Sequence, residues 1–169
     1  MRGMPPPNPF GAPRFPFTGW PTQIAHPDIG YVWFVAPCFF LDQAHLTQAT
    51  VASAHALHDL IDRALAARRA DIEAAGGLVC IHDWRALRGY DAPARRAYQE
   101  RMRARPKGYL KTAYTIVPST PLFRMAIEAG GLAAQLGSGG RILLATDPAP
   151  ILAKLGIAPP APGEPFPGE

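Results

Sequence analysis

Apolar positions along this chain fall into two kinds of pattern, short unbroken runs and longer stretches at helical spacing. Leu78, Val79, Cys80 and Ile81 form an unbroken run behind Gly76-Gly77, which is how a strand buried on both faces reads. Ile142 to Ala145 is a second run of that kind. Tyr31 to Ala36 is aromatic and β-branched and predicts a strand, with a bend or edge at Pro37 and a short further strand over Cys38 to Leu41. Leu110 to Val117 alternates as a strand does. Between these runs, Val51, Ala54, Leu57, Ile61, Leu65 and Ile72 recur at helical spacing. They predict a helix from Thr47 to Ala75 that Gly76-Gly77 terminates.

Three further helices follow from their starts. Asp91 is a good N-cap, Pro93 fits the first turn, and Ala94, Ala97, Tyr98 and Met102 share one face. Arg105-Pro106-Lys107-Gly108 stops that helix. Pro121 opens another from Leu122 to Leu136, and Thr146-Asp147-Pro148 starts a last one to Leu155, with Gly156 as its C-cap. The order β(β)-α-β-α-β-α-β-α predicts an α/β layer with a mainly parallel central sheet. In such folds the loops at the carboxyl ends of the strands are the usual functional edge. Here that edge is His82-Asp83-Trp84 and the turn Tyr90-Asp91.

Composition adds boundaries. Of the 20 prolines, eight lie in the first 27 residues and five in the last eleven. Residues 1–27 and 158–169 therefore read as extended arms around one domain over 28–157. The first arm carries Phe10, Phe15, Phe17 and Trp20, which predicts an arm that lays aromatics on the domain. Because its prolines cannot join a central sheet, removing residues 1–26 is expected to leave a folded domain. Cys38 and Cys80 both sit in apolar runs, as buried reduced thiols do. The N-terminus lacks the apolar region of a signal peptide, and no stretch approaches the ~18 apolar residues of a membrane span. These features predict a cytoplasmic protein.

The charge is local. Residues 91–111 hold seven basic side chains against Asp91 and Glu100, giving +5, whereas the whole chain carries +4 and the remainder therefore −1. Arg95, Arg96, Arg101 and Arg103 thus form the basic surface of one helix. A solvated helix face is the first reading of such a cluster; as a binding surface it suits an acidic partner protein first and nucleic-acid phosphates second, since no base-reading motif accompanies it.

Motifs that carry chemistry are weak throughout. His55, His58, Asp59 and Asp62 share helix turns and have metal-ligand residue types, but the same set suits a solvated face, so no metal site is expected. Alternation places His82 and Trp84 on one face of their strand and Asp83 on the other, so His82 and Asp83 are not read as a pair. Leu136 to Gly140 is glycine-rich but lacks a phosphate-binding lysine and precedes a strand. No cofactor is implied, and no catalytic residue is assigned.

Three stretches, GLVCIHDWRALRGYDAPARRAY, YLKTAYTIV and RILLATDPAPILAKLGI, resemble the STAS domain family in its SpoIIAA-like, anti-sigma-factor-antagonist branch. The resemblance spans about residues 28 to 157. It implies a non-catalytic protein-interaction or regulatory module that binds a partner through Tyr90, Asp91, Arg95, Arg96, Arg101 and Arg103. Phosphorylation at the helix start, a property of that branch, is not expected at Tyr90-Asp91-Ala92-Pro93, which has no serine or threonine. The alternative is a carrier or sensor of a small, lipid-like apolar ligand in an aromatic pocket that includes Trp33, Phe34 and Trp84.

Overall fold

The computed structural model describes residues 20, 24–118, 125, 127, 139–147 and 149–156. Strands β1 (Ile24–His26), β2 (Gly30–Ala36), β3 (Phe39–Ala44), β5 (Leu78–Asp83), β7 (Leu110–Ile116) and β8 (Arg141–Ala145) form one six-stranded sheet in the order β1-β2-β3-β5-β7-β8. β1, β2 and β3 run antiparallel to one another, while β3, β5, β7 and β8 are parallel. The protein is therefore α/β with a mixed, mostly parallel sheet. The expected helix over 122–136 falls outside the described residues except for Met125 and Ile127, which are helical.

Helix α1 (Val51–Ala74) and helix α2 (Ala92–Arg103) cover one face of the sheet. Leu57, Leu60, Ile61, Ala64 and Ile72 of α1 pack there on Phe34, Phe40 and Cys80. The short helix α3 (Ala149–Lys154) places Ile151 on the opposite face, against Val35, Leu41, Ile81 and Ile116. Neighbouring residues such as Phe40 and Leu41, or Cys80 and Ile81, thus serve opposite cores, as strand alternation requires. This is why β5 reads as an unbroken apolar run.

Pro37 marks a sharper turn than a bend. Ala36 pairs with Phe39, and Cys38 takes the left-handed φ of +65° between them, so β2 and β3 form a tight hairpin. At the other end of α1, Gly77 has a φ of +105°, and a Cβ there would lie 2.7 Å from the Lys111 nitrogen. Only glycine lets the chain turn from α1 into β5 this close to the start of β7.

The fold reaches back into the segment read as an arm. Ile24–His26 pairs with β2 as an antiparallel edge strand, and Trp20 is 8% exposed with its ring 5.0 Å from that of Phe34. An edge strand needs backbone pairing on one side only, so flanking prolines do not prevent it.

Two short strands, β4 (Gln48–Ala49) and β6 (Gly89–Tyr90), pair in parallel outside the main sheet. Each runs directly into a helix cap. Thr50 caps α1 by accepting from the Ser53 amide at 3.2 Å, and Asp91 caps α2 by accepting from Ala94 at 2.6 Å. The ladder therefore sets the starts of the two helices side by side at the carboxyl edge of the sheet.

Candidate functional site

Asp42 is a buried carboxylate in β3, a strand whose other residues are apolar except Gln43. Its side chain is 0% exposed, and β3 and β5 pair it directly with His82. One Asp42 oxygen accepts from His82 Nδ1, and the other accepts from Trp84 Nε1 at 2.8 Å. His82 and Trp84 share a face of the strand end, so one carboxylate holds both rings. His82 sits between Trp84, at 5.2 Å, and Phe40, at 6.2 Å between ring centroids.

α1 and α2 close over this centre. The Tyr98 ring lies 5.8 Å from Trp84 and 5.3 Å from His58. Burial pushes the Tyr98 phenol well above its ordinary range, with the Asp42 charge adding to the effect and a hydrogen bond to Ser53 opposing it. His58 is 3% exposed, and neither of its ring nitrogens has a hydrogen-bond partner among the described residues.

That isolation makes His58 sensitive to acid. Burial lowers its pKa well below the usual value, and Arg105, Arg101, His82 and His55 push it the same way. Below the ordinary histidine pKa of about 6.5 the unfolded chain gains a proton that the folded chain refuses, so stability falls with falling pH. A His58→Phe protein keeps an aromatic edge against Tyr98 and cannot titrate. Its thermal midpoint is expected to fall less than that of the parent between pH 7 and pH 5. Identical pH slopes in the two proteins would show that His58 does not carry this dependence.

The residues singled out on α2 divide into two groups. Arg95, Arg96 and Arg103 are exposed and make no ion pair or side-chain hydrogen bond among the described residues. Arg101 instead turns onto α1: its guanidinium reaches Asp59 and Asp62, each at 2.6 Å, and His55 at 3.1 Å. Arg105, just past the helix, is buried. It donates to Asp62 at 2.6 Å and to the His58 carbonyl at 3.0 Å, and stands 5.1 Å over the Tyr109 ring. Tyr90 is half-buried in β6, and Asp91 is exposed as the α2 cap.

The other sequence candidates separate in space. His55, Asp59 and Asp62 meet Arg101, whereas His58 faces inward to Tyr98. Among the described residues no three His, Cys, Asp or Glu side chains converge on a metal-sized site. Asp83 is 3% exposed on the face opposite His82, and Arg85 holds both its oxygens at 2.8 and 2.9 Å. Burial raises the Cys80 thiol to about 12, so it is no nucleophile at neutral pH. Phe34 is core, fully buried against Phe40 and Trp20, while Trp84 is bound to Asp42; the Trp33 side chain lies outside the described set. A groove of about 580 Å³ lies instead between α1 and the β1–β2 edge. Its lining includes Val32, Ala56 and Leu60 but also Asp59, Asp62 and Arg63.

Asp42 is the residue that the sequence reading passes over, because the expected strand stops at Leu41. Its signal is a lone carboxylate inside the run Phe39-Phe40-Leu41-Asp42-Gln43-Ala44, where solvation is not available. The fold and site define the class as an α/β protein with a buried Asp–His–Trp centre at the carboxyl edge of its parallel strands. Comparison with protein-family models, curated proteins and solved structures finds no match. No helix among the described residues is long and apolar enough to cross a membrane.

Proposed function

We propose that this protein is a STAS-like interaction module that docks an acidic partner protein on the outer face of α2 and its entry turn. The observation that carries this reading is the division among the arginines. Arg101 and Arg105 are neutralised by α1, so the structural need for positive charge there is already met. Arg95, Arg96 and Arg103 remain outward with no acidic neighbour bound among the described residues, and Glu100 is the single carboxylate within α2. Charges left unpaired on one helix are best met by an opposing surface of the other sign. The β4–β6 ladder supports the reading further, since it holds Tyr90 and Asp91 at the start of that surface.

Ala94 and Ala97 supply the buried face of α2, so exchanging the three outer arginines leaves the packing intact. A protein with Arg95→Gln, Arg96→Gln and Arg103→Gln is expected to unfold within about 0.5 kcal/mol of the parent, as surface substitutions typically do. Adding Arg101→Gln is expected to cost about 1 kcal/mol more, because that side chain joins a network rather than a lone exposed pair. Affinity capture with the parent and the triple variant tests the function. An acidic protein retained by the parent, released by salt and not displaced by a short DNA duplex supports the reading. Equal retention by the triple variant would refute it, and displacement by the duplex would assign the surface to nucleic acid.

A further inference from the structure

We propose that His82 is the proton acceptor of a small acid–base site, in which its Nε2 activates a water molecule for attack on an ester-type acyl group beside Trp84. This inference is independent of the docking role of α2 and concerns the inner side of the same layer.

The orientation of His82 is the first reason. Its Nδ1 faces the Asp42 carboxylate, so in the neutral imidazole the proton sits on Nδ1 and Nε2 is the lone-pair nitrogen; Nε2 has no hydrogen-bond partner among the described residues. A carboxylate that holds one imidazole nitrogen and leaves the other basic is the base-and-orienter half of a hydrolytic site. The second reason is the burial gradient. The Asp42 side chain is 0% exposed and that of His82 is 13%, so the imidazole links a dry carboxylate to an accessible edge. A proton received at Nε2 would be stabilised by a charge that water does not screen.

The third reason concerns energetics. A buried carboxylate and imidazole contribute less to stability than a well-packed apolar pair of similar volume would. The same layer also holds His58, nine-tenths or more buried with both ring nitrogens unpaired. Both imidazoles therefore keep hydrogen-bonding capacity that the described side chains do not meet. Phe40 and Trp84 flank the His82 ring, so a molecule reaching its exposed edge meets apolar surface there, which suits a small neutral ester rather than a charged ligand.

The step balances with water alone. Water transfers a proton to His82 Nε2 as its oxygen adds to the acyl carbon. The carbon–oxygen bond to the alcohol then breaks, and the departing oxygen takes the bonding electron pair. His82 returns its proton to the leaving group or to solvent, so the products are an acid and an alcohol. Asp42 touches neither reactant and acts as a positioning residue.

The test uses the full chain and p-nitrophenyl acetate. The parent is expected to release p-nitrophenolate above the buffer rate, and His82→Gln is expected to lose about 100-fold of that excess, the lower range for general-base catalysis. Asp42→Asn is expected to lower the rate as well and to move the His82 proton between its ring nitrogens, read from nitrogen chemical shifts. The same NMR measurement on the unmodified chain keeps the idea testable if a variant does not fold. A neutral His82 with the proton on Nδ1 and an unprotonated Nε2 supports it. A proton on Nε2, a parent rate equal to buffer, or a folded His82→Gln protein with the parent rate would overturn it.

Discussion

Replacing Trp20 with alanine is expected to lower unfolding stability by about 3–5 kcal/mol, the range for removing a large buried aromatic ring. Trp20 is nearly as buried as the strand residues it covers, and its ring tilts onto Phe34, which in turn meets the edge of Phe40 at 5.4 Å. Removing it opens the end of the α1-side core next to the edge strand β1. Deleting residues 1–26 is expected to be at least as damaging, since it also removes the backbone pairing of Ile24, Ala25 and His26 with β2. Urea unfolding of the two proteins checks this. A loss below about 1 kcal/mol for Trp20→Ala, within the ordinary scatter of single substitutions, would show that the ring lies on the domain without belonging to its core.

Arg105→Ala is the second substitution with a large expected effect, about 3 kcal/mol. That figure combines charge-assisted hydrogen bonds with a ring contact to Tyr109. The side chain is 4% exposed, and it connects the end of α2 to Asp62 and to the His58 carbonyl on α1. Asp62 is 40% exposed, so water solvates it when the arginine is lost; the cost is therefore below that of orphaning a fully buried charge. Arg105→Lys keeps the charge but not the planar fork, and is expected to recover less than half of the loss. By contrast, Arg95→Ala is expected to change stability by no more than about 0.5 kcal/mol. Equal effects at the two positions would show that the α1–α2 ion network does not hold the helices together.

Much of the architecture was legible as pattern. The unbroken run Leu78–Ile81 became the parallel strand β5, with Cys80 and Ile81 in opposite cores. Helical spacing of Leu57, Ile61 and Ile72 gave α1, and the cap at Asp91 gave the start of α2. Glycines and prolines marked the ends of elements because their backbone preferences act within a few residues, without help from distant parts of the chain. Short pairings were not legible in this way. Two residues, as in β4 or β6, carry no period, and β1 is three residues set among prolines.

The sequence by itself determined the longer helices and strands, that they form an α/β layer, and that positive charge gathers on and after α2. Local backbone preference and apolar spacing suffice for that, since both are written within a single segment. Only the tertiary structure decided which charges are available. Arg101 and Arg105 look like Arg95 and Arg103 in the chain, but the packing of α2 on α1 brings Asp59 and Asp62 to the first pair alone. It also decided the partner of His82. Asp42 is 40 residues away, and only the parallel register of β3 with β5 sets the two opposite each other. Register is a property of two strands together, fixed by the cores on both faces and by the turns that feed them, so neither strand's sequence contains it.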